Sequence, residues 1–347
     1  MTECPFCSAP IEIEAAAADR GFVTLCESCM NPLAARPEGA GWRIEAVRGV
    51  PDTRRIAQKG SIGEALLGAL PEAAERLPVL PDIAHRVLAM VRDPETSIQQ
   101  LAEVIRQDQV MALRIMQLAN SVLYGGLSPI KDLNNACARL GLKTVSNAVQ
   151  AVANGRLYVT NEPEYREVMK AFHRHSVATA YCANEIAVMT AQASPDTFFV
   201  AGLLHDLGKP LLLDLATNAL AAARHAQALD SIRRSRELLF EMIRGYCALV
   251  GLFITRRWNL PVEFAVVAFC HARIEAVPDE GWLTLVHTVS LASALADASG
   301  YGMAEDAVSL LGHPSTKYLG LNDIKLATLR VDLDDKLKAL LEVTTAG

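Results

Sequence analysis

The sequence predicts an all-α protein preceded by a small ribbon that binds zinc. The composition is 51% apolar but only 5% aromatic, which suits a helical core of Leu, Ala and Val. From residue 61 onward, apolar residues recur at helical spacing and patterns typical of strands are almost absent. Before that point, four of the eight cysteines lie within the first 29 residues. At 347 residues, the chain is long enough for two or three domains.

The charge and hydropathy of the chain argue against several kinds of protein. The formal net charge of -6 disfavours a general nucleic-acid binder. The most apolar run, residues 198–223, is interrupted by charged residues and a proline, so no segment approaches the about eighteen uninterrupted apolar residues that a membrane-spanning helix needs. The first residues lack the pattern of a signal peptide. We therefore expect a cytoplasmic protein with free thiols and no membrane partner.

Two Cys-x-x-Cys pairs, Cys4 with Cys7 and Cys26 with Cys29, predict a structural zinc site. Each pair forms a tight knuckle that presents two sulfur atoms, and four thiolates suit tetrahedral zinc. So short a segment buries little apolar surface, and we expect the metal to fold it. A redox-active Cys-x-x-Cys and a chance clustering are the alternatives. The zinc-ribbon-like segment is expected to span residues 1–45.

Residues 46–60 differ in composition from the segments on either side. They lack apolar periodicity and contain one acid, Asp52. Their basic residues are Arg48, Arg54, Arg55 and Lys59. We interpret this stretch as a basic linker, with a docking or phosphate-binding strip as the alternative.

The other cysteines stand alone in apolar contexts and are expected to be buried thiols; they are Cys137, Cys182, Cys247 and Cys270.

Start and stop signals predict a series of helices after the linker. One helix begins after Pro81, and Ser97 with Gln100 has the pattern of a capping box. A break is expected at Pro261. Further helices are predicted over residues 109–124, 230–258, 284–298 and 322–343.

An adjacent pair, His205 and Asp206, lies in this apolar helical context. Neighbouring side chains on a helix point about 100° apart, so an imidazole and a carboxylate can approach one divalent ion that a third ligand holds. His175 is the expected third ligand. A buried, hydrogen-bonded cluster without metal is the alternative.

A series of motifs runs along the helical part of the chain: 77–81, 101–108, 114–121, 136–142, His175, His205–Asp206 and 257–261. In this order they resemble the HDOD family of bacterial signalling and regulatory proteins. The resemblance covers about residues 70–300 and implies two packed helical subdomains. The N-terminal half of the HDOD domain is expected at residues 61–160, and the HD-like half with the C-terminal helices at 161–347. The family is related to the HD phosphohydrolases, but catalysis is not regarded as demonstrated for it.

The chain departs from the catalytic HD pattern where ligands are expected. The resemblance aligns Ser293 with a carboxylate ligand of the HD phosphohydrolases. Relatives that hydrolyse cyclic di-GMP use further histidines, where this chain has Cys247 and the pair Cys270–His271. A hard divalent ion without these ligands is weakly held, and phosphodiester hydrolysis needs a metal-bound hydroxide. The sequence therefore favours a degenerate, non-catalytic site.

Two residues favour the opposite interpretation, a metal-dependent phosphohydrolase of nucleotides or cyclic dinucleotides. Asp297 lies one helical turn beyond Ser293 and is a candidate fourth ligand. Lys209 is a candidate contact for a phosphate or another ligand. The alternatives are a solvated acid at a helix end for Asp297 and a helix C-terminal cation for Lys209.

The expected function is a signalling module that binds a protein partner. A small regulatory ligand, such as a cyclic dinucleotide, is a further candidate. Nucleic-acid binding through the ribbon is disfavoured because residues 1–45 contain seven acids and three arginines. The expected cofactors are the structural zinc and, if the HD-like site binds one, a divalent metal.

Overall fold

The computed structural model describes residues 2–11, 13, 20–39, 41–47, 50, 52–53, 62–76, 82–93, 95–121, 124, 129–216, 235–258, 260–302 and 309–345. Within these ranges the strands all precede residue 47, and helices make up most of the rest. The strands are β1 Thr2–Glu3, β2 Pro10–Ile11, β3 Phe22–Leu25, β4 Pro32–Glu38 and β5 Gly41–Ala46. The predicted fold class, all-α after a small cysteine ribbon, is confirmed.

The helices follow the ribbon in chain order. They are α1 Ile62–Arg76, α2 Asp82–Arg92, α3 Ile98–Arg106, α4 Gln109–Ala119, α5 Leu133–Gly155, α6 Arg166–Met189, α7 Pro195–Leu204, α8 Gly208–Asp214, α9 Arg236–Arg257, α10 Val262–Cys270, α11 Leu283–Ala296, α12 Pro314–Tyr318 and α13 Asp323–Thr345.

The chain forms two compact units and passes between them three times. The first unit contains residues 1–77 and 204–290, and the second contains residues 78–203 and 291–347. The first unit therefore joins the N-terminal ribbon to the helices that follow the His-Asp pair. This division differs from the boundaries expected from the sequence. The four basic residues of the expected linker lie outside the described residues.

In the first unit, strands β3, β4 and β5 form an antiparallel sheet with β4 in the middle. All four residues of β3 are buried, and β3 contacts α9 and α10. The Trp282 indole donates a hydrogen bond of 2.6 Å to the Gly21 carbonyl, and the Gly21 N–H donates to Asp279 Oδ2 at 3.2 Å. The Arg256 guanidinium contacts Thr24 Oγ1. The ribbon is therefore docked on the helices of its own unit.

Helices α8 and α9 approach each other closely in the first unit. A Cβ atom on Gly208 would lie 2.2 Å from the backbone oxygen of Cys247, so only glycine fits at the start of α8.

Among the described residues, α9 is the one helix long and apolar enough to cross a membrane, but 61% of its apolar stretch is buried inside the protein. Central helices of water-soluble proteins have the same composition.

The second unit contains helices α2 to α6, most of α7, the end of α11, α12 and α13. The capping box is confirmed: Ser97 Oγ accepts from the Gln100 N–H, and the Gln100 side chain accepts from the Ser97 N–H.

The prediction that a helix spans residues 109–124 is wrong, because α4 ends at Ala119. The Asn120 side chain ends it by exchanging two hydrogen bonds with the backbone of Ile130.

Candidate metal sites

The structure brings the four predicted cysteines of the ribbon together. Their sulfur atoms all lie within 4.8 Å of one another. Cys4 Sγ is 3.7 Å from Cys29 Sγ, and Cys7 Sγ is 3.5 Å from Cys26 Sγ. Zn–S bonds of about 2.3 Å place the sulfurs of a tetrahedral site about 3.8 Å apart, whereas a disulfide bond is about 2.05 Å long. The cluster has the dimensions of a four-thiolate zinc site.

Both knuckles have the same backbone geometry. The N–H of Ser8 donates to the Cys4 carbonyl at 2.9 Å, and the N–H of Met30 donates to the Cys26 carbonyl at 2.7 Å. Ser8 and Met30 have φ angles of 58° and 56°, in the left-handed region that costs a residue with a side chain about 1–2 kcal/mol. Such strain persists where the surroundings enforce it. Here each of the two residues directly follows a Cys-x-x-Cys pair, and its N–H closes the knuckle by donating to the first cysteine of that pair.

The thiols of the cluster ionise with different ease. A hydrogen bond from the Ala9 N–H is the main reason that the pKa of Cys7 falls to about 7. Burial raises the pKa of Cys26 to about 12 and also raises that of Cys4. A divalent cation favours the thiolate form of all its sulfur ligands. The buried thiols therefore need a bound cation to ionise near neutral pH.

Asn31 ties the second knuckle to a later segment of the first unit. Its amide donates to Cys29 Sγ at 3.3 Å and to Asp52 Oδ1 at 2.9 Å, and its Oδ1 accepts from the Thr53 N–H at 2.7 Å. Such outer contacts orient the ligands of metal sites. No pattern in the sequence indicated this role, because a single asparagine has no spacing that marks it.

The His205–Asp206 pair lies in a turn of the first unit. Helix α7 ends at Leu204 and α8 begins at Gly208, so the expectation that both residues lie on one helix is wrong. Lys209 is accordingly at the N-terminal end of α8, and the alternative of a helix C-terminal cation is wrong as well. A cation at this end is disfavoured by the helix dipole, and Asp206 compensates for it.

The buried carboxylate of Asp206 has protein partners on both oxygens. Oδ2 contacts Lys209 Nζ and lies 3.1 Å from His205 Nε2. Oδ1 lies 3.6 Å from His271 Nε2 and 3.6 Å from Cys247 Sγ. A divalent ion at this carboxylate therefore competes with an ammonium group that the chain itself supplies.

The pKa values of this cluster follow from burial and from charge. Burial raises the pKa of Asp206, but His205 and then Lys209 outweigh it and hold the pKa well below its usual range. Burial and the neighbouring His205 lower the pKa of His271 to about 4. Near neutral pH the carboxylate of Asp206 is charged and His271 is neutral, and the ammonium group of Lys209 contacts that carboxylate.

His271 and Cys247 join Asp206 although neither was among the predicted ligands. The ring of His271 meets that of His205 edge-on, with centroids 4.8 Å apart. The resemblance did align both residues with histidines of cyclic di-GMP hydrolases, and that alignment was the available signal. Cys247 is a buried thiol, as expected, but its contact with Asp206 is specific.

His175 lies in the second unit with Ser293 and Asp297. Ser293 Oγ is 3.2 Å from His175 Nε2, and Asp297 Oδ1 is 3.3 Å from His175 Nδ1. The two residues thus contact opposite nitrogens of one buried imidazole. The alternative that Asp297 is a solvated helix-end acid is wrong, because its side chain is only 25% exposed and contacts His175. That His175 shares a metal with the His205–Asp206 pair stays a prediction.

A family model described as the HDOD domain matches residues 77–274, more than half of the chain. The chain belongs to the HDOD family. An uncharacterized protein of Treponema pallidum (strain Nichols) is 24% identical over 229 residues, which are 66% of this chain and 44% of that protein. This HDOD chain thus matches less than half of that relative's length.

Solved structures share the HDOD fold. A crystal structure of an HDOD domain protein of unknown function from Geobacter sulfurreducens is 26% identical, covers 82% of this chain and 98% of its own, and has a TM-score of 0.62. A protein of Shewanella amazonensis SB2B, provisionally named a metal-dependent phosphohydrolase, is 23% identical, covers 81% and 98%, and has a TM-score of 0.58.

Proposed function

We propose that this HDOD protein is a non-catalytic signalling module that acts by binding a protein partner. The observation that carries the proposal is the contact between Asp206 and Lys209. In a metal-dependent hydrolase a carboxylate of this kind binds the ion that generates hydroxide. Here a fixed ammonium group neutralises it, and a ligand of higher charge must first displace that group.

The neighbours of His175 support the same proposal. The hydroxyl of Ser293 faces Nε2, where a carboxylate would strengthen the binding of a hard cation. Asp297 contacts Nδ1. A carboxylate at this nitrogen is better placed to orient the imidazole than to bind a metal beside it. These residues retain the shape of an HD-like site without its full ligand set.

The relatives leave both a regulatory and a hydrolytic role open. One fold neighbour, from Marinobacter aquaeolei VT8, is provisionally named a signal transduction protein, and another is named a phosphohydrolase. Both are less than 25% identical to this chain, so their names serve here as hypotheses. The phosphohydrolase of nucleotides or cyclic dinucleotides is the competing outcome of the tests below.

Zinc is proposed as the resident metal of the ribbon, bound by Cys4, Cys7, Cys26 and Cys29. The sulfur spacing supports it, since the measured distances of 3.5 and 3.7 Å are close to those between thiolates on one zinc ion. Its role is structural, because four protein ligands leave no open position for a substrate. It holds the sheet that packs on α9 and α10.

A genetic complementation experiment tests the non-catalytic role. If one charged residue of a partly buried ion pair is replaced, the remaining charge loses its partner. The test therefore uses a double variant that carries both Asp206→Asn and Lys209→Gln. Produced at the wild-type level in the native cell, this double variant is expected to restore the phenotype and protein interactions lost on deletion. A variant that is equally abundant but behaves like the deletion would overturn the proposal.

A further inference from the structure

The second unit contains a pocket of about 340 Å³ that neither metal cluster uses. Its walls come from helices α4, α5, α6 and α13 and from the first half of α7. Leu118, Phe199 and Leu340 form a buried apolar side. Pockets of this volume accommodate small molecules.

Helical spacing turns a set of polar side chains toward this pocket. On α6, Tyr181, Asn184 and Glu185 follow the i, i+3, i+4 pattern of one helix face, and all three line the pocket. On α5, Lys143 and Asn147 are four residues apart and line it as well. Polar groups on inward faces are uncommon unless they meet a partner.

The pocket has an excess of negative charge. Glu185 and Asp196 are half-buried in its wall, whereas Lys143 is exposed to solvent. Burial and the charge of Glu185 raise the pKa of Tyr124, another lining residue. Burial also raises the pKa of Asp196, although Lys143 acts in the opposite direction. The potential inside the pocket therefore favours a positively charged group.

Asp196 also has an unused acceptor. Its Oδ1 atom is buried, and no residue in the described part of the chain donates a hydrogen bond to it. A buried polar atom without a partner is destabilising. A bound molecule with N–H donors would satisfy this oxygen.

We infer that this pocket binds a small organic cation with a primary amine or guanidinium group. The cation would donate to Asp196 Oδ1 and be balanced by Glu185, while Tyr124 and Tyr181 offer aromatic rings for cation–π contacts. The apolar side would hold a short aliphatic chain. Nucleotides and other phosphates fit poorly, because two carboxylates repel them and one exposed lysine gives weak compensation. The inference is independent of the role proposed for Asp206, which lies in the other unit.

Calorimetric titration of the full chain tests the inference with agmatine, putrescine, spermidine and arginine. Citrulline is the matched control, because it has nearly the shape of arginine without the charge of the guanidinium. At least one of the four cations is expected to bind, and citrulline, which shares the α-ammonium and α-carboxylate groups of arginine, is expected to bind more weakly than arginine. The inference is wrong if none of the four cations binds at millimolar concentration, or if citrulline binds as tightly as arginine.

Variants locate the binding site. Asp196→Asn and Glu185→Gln keep the side-chain size, and each is expected to weaken binding at least tenfold. Lys143→Met removes the competing charge and is expected to strengthen binding, which also shows that a variant of the pocket folds. Glu164→Gln alters an exposed acid of the same unit and is expected to change nothing. Equal affinity in all four variants would place the cation elsewhere and overturn the inference.

Discussion

Ser293 Oγ lies 3.2 Å from Nε2 of His175. Asp297, four residues later on the same helical face, contacts the other ring nitrogen. The two residues are therefore not interchangeable. The hydroxyl occupies the side of the imidazole where the resemblance to HD phosphohydrolases expects a carboxylate. Whether a metal ion binds tightly beside His175 therefore depends on the side chain at position 293.

Ser293→Asp is expected to strengthen Mn²⁺ binding by about tenfold or more, or about 1.4 kcal/mol, because an anionic oxygen offsets the cost of dehydrating the ion. Calorimetric titration of the zinc-loaded full chain measures the change. Ser293→Asn, of similar size but uncharged, is the control and should give no gain. No gain from Ser293→Asp together with loss of binding in Asp297→Asn would identify Asp297 as the ligand instead.

Cys4→Ser and Cys29→Ser are expected to lose the zinc and to unfold the ribbon. Because buried β3 packs on α9 and α10, the melting temperature of the first unit should fall as well. Elemental analysis and a thermal melt check both effects. Cys137→Ala, an isolated cysteine of the second unit, is the control and should keep its zinc. Wild-type protein purified without chelator and found to contain no zinc contradicts this prediction.

His173 makes stability depend on pH. Burial, and then the charge of Arg174, lower its pKa from 6.5 to about 4 in the folded protein. Between these values the unfolded chain binds more protons, so stability is lost as the pH falls from about 6.5 toward 4. His173→Gln keeps an N–H that can donate to the Ala151 carbonyl, which lies 3.4 Å from His173 Nε2, and does not titrate.

Chemical denaturation at pH 7 and pH 5 measures this contribution. The wild-type protein is expected to lose about 2 kcal/mol more than His173→Gln between the two values. An equal loss in both proteins would mean that His173 is protonated in the folded state or that it becomes exposed to solvent.

Gly208→Ala is expected to destabilise the protein by about 1–3 kcal/mol. The added Cβ would lie 2.2 Å from the Cys247 backbone oxygen, so α8 must move away from α9. The matched control is Gly245→Ala, also at a helical glycine, where a Cβ meets nothing within 4 Å. That variant should gain up to about 1 kcal/mol from helix propensity. Denaturant titration compares the two, and equal stability of both variants would contradict the close packing.

Local patterns in the sequence predicted much of the fold. Ser97 and Gln100 cap α3 as expected, since the capping box depends on neighbours in the chain. The break at Pro261 also follows from local chemistry, because proline starts α10 after the end of α9. The two Cys-x-x-Cys pairs predicted their own cluster for a similar reason, because this spacing is typical of four thiols that meet at one metal site.

Contacts between distant segments could not be predicted in this way. The bond from Trp282 to Gly21 joins residues 261 positions apart, and neither residue has a pattern that indicates the other. The turn at His205 was missed because apolar runs of α7 and α8 continue on both sides of it. The Asp206–Lys209 contact depends on that turn, so no local pattern indicated that Lys209 is also a counter-ion of Asp206.

The most direct measurement for the central proposal is turnover by the purified, zinc-loaded protein. Cyclic di-GMP, cyclic di-AMP, nucleotides and simple phosphodiesters are incubated with Mn²⁺, Mg²⁺, Fe²⁺ or Ni²⁺, beside the folded Asp206→Asn, Lys209→Gln double variant. A non-catalytic module is expected to hydrolyse none of them faster than the double variant does. Hydrolysis by the wild type that the double variant loses would contradict the proposal and show that the chain is a phosphohydrolase.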